Sequence, residues 1–469
     1  DKWSVFLHPD QRTSVERDYS GPARVSGSAG TGKTIVAVHR AVYVARKNPD
    51  TRVLLTTFSH ILANSLRAKL RRLIRNEPRL AERLEVHSID AIGARLYKSH
   101  FGECKLASDD SIRSLIADAM KATPQTRFTP HFLFSEWNEI VDPWQIKTWE
   151  KYKNVARLGR KTRLPEQQRA ELWKVFAYVL EKLAGDGLIT KSQMFTKLAS
   201  AIHTDKHSPF DFAVVDEAQD IGIAHLRFLA ALGENCPDAL FFAGDLGQRI
   251  FQQPFSWLSL GVDIRGRSRH LRVNYRTSHQ IRSQADRLLG PEITDVDGNS
   301  ELRNDTVSVF NGPPPNIRLF DSPSNESEAV SQWLSDCIAE GVAPQECGVF
   351  VRSSAELERA VNAVTQSDLP YTILDEKLES AANSVSISTM HLAKGLEFRA
   401  VAVMACDDEV LPSQARIQSI TDDADLQEVY NTERHLLYVA CTRARDHLLI
   451  TGVEPASEFL DDLDTTLVE

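Results

Sequence analysis

The stretch GSAGTGKT, Gly27–Thr34, has the spacing G-x-x-x-x-G-K-T. Glycines at such spacing let backbone N–H groups converge on a phosphate chain. Lys33 supplies a point charge to the outer phosphates, and the Thr34 hydroxyl suits Mg2+. Gly27, Ser28, Ala29, Gly30, Thr31, Gly32, Lys33 and Thr34 are therefore the candidate nucleotide-binding residues, with ATP and Mg2+ as the expected ligands. A second run, FAVVDEAQD (Phe212–Asp220), ends an apolar strand in two carboxylates. Asp216 is placed to enter the magnesium shell with Thr34, and Glu217 to accept a proton from an attacking water. Alone, such an acidic pair reads as a helix cap; with a phosphate loop upstream it reads as hydrolytic machinery.

Both runs need a strand to position them, and the sequence supplies a series. ARVSG (Ala23–Gly27), RVLLTTF (Arg52–Phe58), LEVHSI, FAVVDEA and ALFFAGD are short apolar runs, most of them followed by a helical pattern. This alternation predicts a parallel sheet with helices on both faces. A second series follows the turn-rich NGPPPN (Asn311–Asn316): IRLFD, CGVFVR, YTILD, VSISTMH, AVAVMAC and HLLITG. The expected fold is α/β, with two such parallel-sheet domains and a mainly helical, basic insertion in the first. The expected boundaries are 1–97 with 188–289 for the first domain, 98–187 for the insertion and 290–469 for the second domain.

Composition fits this plan. The 469 residues suffice for about three compact units. A 25% charged, 42% apolar chain is ordinary for a soluble protein. No apolar run is long enough to span a membrane, and DKWSVFLHPD lacks a signal-peptide pattern. The absence of an initiator Met is consistent with a fragment or a processed product. Cys104, Cys236, Cys337, Cys347, Cys406 and Cys441 are scattered, so reduced thiols and a cytoplasmic location are expected, without a cysteine metal site. The net charge of −9 argues against a purely electrostatic nucleic-acid coat. Three basic tracks nevertheless stand out: Arg67–Arg75, Lys151–Arg163 and Arg265–Arg272. Each alone reads as a solvated face; together with the phosphate loop they point to phosphate-backbone contacts.

With these motifs in order, the chain resembles the UvrD/Rep-like superfamily 1 DNA helicases over nearly its whole length, and the resemblance implies two RecA-like domains. FLHPDQR resembles the family's glutamine motif, which implies that Gln11 reads the adenine edge. LLTTFSHILA resembles the segment in which Phe58, followed by Ser59, meets single-stranded DNA, and VHSIDAIGARLY the one with His87 and Ser88. FFAGDLGQRIF implies a γ-phosphate sensor at Gln248. LRVNYRTSHQI implies adenine stacking by Tyr275 and an arginine finger at Arg276. ISTMHLAKGLEF implies Thr389 and His391 towards DNA, with Gly395 and Glu397 towards the nucleotide. ERHLLYVACTRAR implies a second finger at Arg443. Physics agrees: a nucleotide between two domains needs charge from the far side, and guanidinium offers planar contacts to phosphate. Phe58 and Trp257 offer sequence-indifferent stacking worth about 1–3 kcal/mol per base, although Trp257 reads equally well as a core tryptophan.

Departures from the family pattern qualify the expectation. The family carries a large subdomain before ISTMH, whereas here YTILDEKLES runs almost directly into AANSVSISTMH, and the connection of about ten residues is too short for a domain. After CTRARDHLLITG, where the family has a strand-separating hairpin, stands VEPASEFLDDL with Pro455 interrupting. Ile35 follows GKT where many members have Arg. The leading expectation is thus a monomeric ATP-driven motor with 3′-to-5′ polarity on single-stranded DNA, with weakened unwinding. RNA remains a possible track. The alternatives are an ATP-gated remodeller of a protein partner, as some relatives are for RNA polymerase, and a motor module for a nuclease or toxin system.

Overall fold

The computed structural model describes residues 6–75, 77–122, 128–155, 164–206, 208–250, 254–303, 305–375, 383–418 and 423–463. Two six-stranded sheets organise the chain. The first runs, edge to edge, Leu84–Ser88, Val53–Thr57, Phe212–Val215, Leu240–Gly244, Ala23–Ser26 and Ser268–His270. The second runs Asn316–Phe320, Ala444–Val453, Phe398–Val403, Cys347–Val351, Val385–Thr389 and Tyr371–Ile373. Every strand pair in both sheets is parallel. The reason lies in the sequence: Val53–Thr57, Leu240–Gly244 and Cys347–Val351 are buried at every position, as strands covered on both faces must be. Helices supply the cover. Lys33–Lys47 lays Val36, Ala37, Ala41 and Val44 on one face of the first sheet, where they join Val25, Val53 and Leu55 in one core. The other face packs on Ile89, Ile92, Phe195 and Phe228.

The helical insertion has a core of its own. Ile112, Ile116, Trp137, Tyr152, Leu172 and Phe176 pack together there, and the buried Tyr152 hydroxyl donates to Glu136 Oε1 at 3.0 Å. Its neck is a short parallel pair, Lys105–Leu106 with Leu188–Ile189. Of the basic stretch Lys151–Arg163, residues 156–163 lie outside the described residues, as do 376–382 of the short connection before Ile387. The Arg265–Arg272 track is largely engaged within the protein. Arg265 pairs with Asp263 at 2.9 Å, Arg267 donates to the carbonyls of Pro22 and Asp263, and Arg272 lies 3.6 Å from Asp305.

The chain crosses between the sheets through helix His279–Asp286, whose Ile281 and Ala285 already join the core of the second sheet. The hairpin Glu292–Thr294 with Ser300–Leu302 then turns back to the first sheet, where buried Glu301 pairs with Arg24. All six cysteines are free thiols. Among the described residues no helix is long and apolar enough to cross a membrane.

Candidate active site

Gly27 directly follows strand Ala23–Ser26, so the phosphate loop leaves the carboxyl end of an interior strand. That edge is where open parallel sheets bind ligands. The loop needs glycine: Gly30 and Gly32 have φ of 84° and 83°, in the left-handed region. A Cβ on Gly30 would strike the Asn274 side chain, and one on Gly32 the Gln11 amide. The helix Lys33–Lys47 then begins with no side-chain cap, leaving its first N–H groups for a ligand.

A cavity of about 660 Å3 opens over this loop. Ala29, Gly30, Gly32, Lys33 and Thr34 line it from the first domain, with Asp216, Glu217 and Gln248. Tyr275, Arg276, Gly395, Glu397 and Arg443 line the far side. Residues spread over more than 400 positions of sequence thus share one cleft. The second sheet contributes from the amino ends of two strands, since Glu397 precedes Phe398–Val403 and Arg443 precedes Ala444–Val453.

Lys33 is folded onto its own loop, donating to Gly27 O at 2.7 Å and Ser28 O at 3.0 Å, with Asp245 Oδ2 at 3.8 Å. Burial pushes its pKa down and Asp245 pulls it back. Asp216 is buried and takes a hydrogen bond from the Thr34 side chain; burial and adjacent Glu217 push its carboxyl well above the usual range. Crowded carboxylates of this kind are relieved by a cation. Magnesium binds through one or two carboxylates plus substrate phosphates, so Asp216 and Thr34 fit it. Among the described residues no three His, Cys, Asp or Glu cluster as a metal site, so phosphate oxygens would complete the shell.

Glu217 stands at φ 53°, a left-handed turn that a non-glycine residue rarely adopts. The turn separates it from Asp216 and puts it at the cavity wall. Its Oε2 accepts from Gln219 at 2.5 Å and lies 3.9 Å from the Lys394 ammonium. Lys394 reaches across from the second domain, bonding Asp220 and the Gln248 carbonyl, each at 2.5 Å.

The two arginines stand together. Arg276 donates to Glu397 at 2.7 Å and to Thr442 O at 3.2 Å. Arg443 is fully buried, holding Val439 O at 2.9 Å and Gln248 Oε1 at 3.2 Å. Burial and neighbouring Arg276 push the Arg443 pKa down to about 10, which leaves it charged near neutral pH. The two guanidinium groups, of which Arg276 is paired with Glu397, offer planar contacts suited to phosphate.

A family model described as the UvrD/REP helicase N-terminal domain matches residues 7–254, and one described as the UvrD-like helicase C-terminal domain matches 374–454. The chain belongs to the UvrD/REP helicase family. It is 23% identical to the ATP-dependent DNA helicase UvrD2 of Mycobacterium bovis over 94% of this chain and 78% of that one. It is 22% identical to a probable DNA helicase of Mycoplasma pneumoniae, covering 96% and 84% respectively. A third relative, the ATP-dependent DNA helicase PcrA of Staphylococcus epidermidis, is 22% identical over 78% of this chain and 50% of its own. The family is one of ATP-hydrolysing enzymes.

Other expected site residues of this UvrD/REP-family chain lie around the cleft. Gln11 sits behind the phosphate loop, donating to Thr31 O at 3.0 Å and accepting from His8 N at 3.0 Å, so both ends of its amide are engaged. The Tyr275 ring lies 5.6 Å from that of His8. Phe58 follows the carboxyl end of Val53–Thr57, and the Lys394 ammonium lies 5.8 Å from its ring. Ser59 and Ser88 cap the helices that follow them, accepting from Leu62 N at 3.2 Å and Ala91 N at 3.4 Å. His87 contacts Glu85 and Arg95, each at 3.3 Å. Thr389 ends strand Val385–Thr389, and His391 follows, where burial pushes its pKa down to about 4. Trp257 packs edge-on against Phe242 at 4.8 Å. A larger cavity of about 930 Å3 lies between the insertion and the two domains, lined by Trp144, Lys191, Arg249, Phe255, Arg416 and His435. None of the expected strand-contacting residues lines it.

Sequence reading missed Asn274, Lys394 and Asp245. Asn274 ties the loop to the second half of the chain, donating to Ala29 O at 2.8 Å and accepting from Arg276 N at 2.9 Å. Asp245 carried a readable signal, because it ends an apolar strand as Asp216 does.

Proposed function

We propose that this chain is an ATP-driven motor that moves 3′-to-5′ along single-stranded DNA. The observation that supports it most is the convergence of Arg276 and Arg443 on the cavity formed by the phosphate loop, Asp216 and Glu217. In this reading Lys33 and the loop amides hold the phosphates. Asp216 and Thr34 would hold Mg2+, which would neutralise phosphate charge. Glu217 takes the proton of the attacking water, Gln248 senses the outer phosphate, and the two guanidinium groups complete the site from the far side. A site completed by residues of both domains makes hydrolysis depend on how they close. Phe58, beside Lys394 at the same interface, would then feel each closure, which is how a stepping motor shifts its grip.

The test is the steady-state ATPase rate with single-stranded DNA, duplex DNA, RNA and no nucleic acid. Strong stimulation by single-stranded DNA is expected. Equal rates under all four conditions would overturn the motor reading in favour of a remodeller of a protein partner.

Unwinding is proposed to be weak. After strand Ala444–Val453 the chain turns into helix Phe459–Leu463, whose Phe459, Leu460 and Leu463 are buried in the second core. A segment packed this way is poorly placed to serve as a wedge, and each base-pair step stacks by roughly 1.4 kcal/mol. Unwinding should therefore need a 3′ tail long enough for several molecules, while displacement of streptavidin from single strands proceeds with one. Efficient single-turnover unwinding from a tail that fits one molecule would contradict this.

A further inference from the structure

We infer that Arg303 is a positioning residue for the nucleotide site: it is the fixed countercharge of Asp245, which lets Lys33 leave that carboxylate when a phosphate arrives. The inference rests on the nucleotide reading above and adds to it a residue outside every motif.

Asp245 is wholly buried and shared between two cations. Its Oδ2 faces Lys33 Nζ at 3.8 Å and accepts from Gln248 Nε2 at 2.8 Å. Its Oδ1 faces Arg303 Nη1 at 3.7 Å and accepts from Gly247 N at 2.9 Å. Burial would push this carboxyl upward, but Lys33 and then Arg303 hold it below the usual range. The two cations differ in freedom. Lys33 ends a flexible stem and otherwise holds only the carbonyls of its own loop.

Arg303 is pinned. Its Nε and Nη2 donate to Asp286 Oδ1 at 3.2 and 2.9 Å, and its Nη2 also donates to the Tyr438 hydroxyl. The Tyr438 ring lies 4.6 Å from the guanidinium, and Arg303 N is bonded to Pro291 O at 3.0 Å. Gly247 leaves the space it needs, because a Cβ there would strike Nη1. Tyr438 belongs to helix Asp423–Cys441, which ends just before Arg443, and its hydroxyl faces the Ala29 backbone amide of the phosphate loop.

A buried carboxylate that loses its only cation is heavily penalised. Lys33 must turn to the phosphates for ATP to bind. With Arg303 in place, Asp245 keeps a partner throughout, so the lysine moves freely. Without Arg303 the carboxylate would compete with the phosphates for Lys33.

The experiment is equilibrium dialysis of the purified chain against ATPγS with Mg2+, for wild type, Arg303→Met, Asp245→Asn and the double variant, each with its thermal transition. Arg303→Met should weaken binding by about tenfold or more, and adding Asp245→Asn should restore most of it. A merely structural arginine would lose and regain binding together with its thermal transition, whereas the inference expects weakened binding in a folded Arg303→Met chain. Wild-type affinity in folded Arg303→Met would overturn the inference, as would a folded double variant that binds as weakly as the single one. If Arg303→Met does not fold, Arg303→Lys with and without Asp245→Asn carries the same test, since a lysine cannot serve Asp286, Tyr438 and Asp245 together. Wild-type chain that binds no ATPγS would strike the nucleotide reading itself.

Discussion

Glu217→Gln is expected to bind ATP and to hydrolyse it about 10²–10⁴ times more slowly, the scale of losing a positioned general base. The substitution keeps size and shape, and the amide can still meet Gln219, whose side chain now donates to Glu217 at 2.5 Å. What disappears is the group able to take a proton at the cavity wall. Lys33→Ala should behave oppositely, losing nucleotide affinity as well as turnover, because its ammonium is the flexible charge of the loop. Nucleotide binding and single-turnover hydrolysis, measured side by side on both variants with single-stranded DNA present, separate the roles. Normal hydrolysis by Glu217→Gln would move the base elsewhere.

What could be read in the sequence was whatever is local. A strand ending in glycines, or in Asp-Glu, carries its structural context and its chemistry in one run of letters. The two parallel sheets were readable for the same reason, since strands covered on both faces are unbroken apolar runs. The helical insertion showed itself as a change of period, but its neck pair of Lys105–Leu106 with Leu188–Ile189 did not, because two residues make no pattern. Long-range charge pairing was equally silent. Asp245, Arg303 and Tyr438 come from a strand end, a hairpin end and a helix, and nothing in GDL, LRN or LYV says that they meet. Basic tracks hide their internal partners. Within the protein Arg265 and Arg267 hold Asp263 and nearby carbonyls, because an arginine binds whichever acceptor the fold brings closest. Gln11 shows another side of this: its motif implies contact with a base, while the partners of its amide within the protein, Thr31 O and His8 N, are not legible in the motif.

The largest effects should come from the arginines. Arg276→Ala and Arg443→Ala are each expected to leave much of ATP binding in place while cutting DNA-stimulated turnover by about 10³–10⁵, the range for arginine fingers. The two should not be equivalent. Arg276 is tied to Glu397, a residue at the exposed rim, so its guanidinium can exchange one carboxylate for phosphate oxygens at little cost. Arg443 is enclosed by Val439 O, Leu396 O and the Gln248 amide. It has no carboxylate partner within that set, and Glu217 and Glu397 favour its charge only through space. Arg443→Ala also removes one of the two ties on Gln248, whose Nε2 stays on Asp245 at 2.8 Å, so the amide proposed to sense the outer phosphate would be held less firmly. Arg443→Lys should recover little, because a single ammonium cannot reach the two carbonyls and Gln248 from one position. Arg276→Lys should recover more, since its partner at the rim is a single carboxylate. Measuring kcat and KM for ATP at saturating single-stranded DNA across these four variants decides the matter. If lysine rescues Arg443 as well as it rescues Arg276, the buried arginine contributes charge alone, and its fixed hold on Gln248 plays no part in turnover.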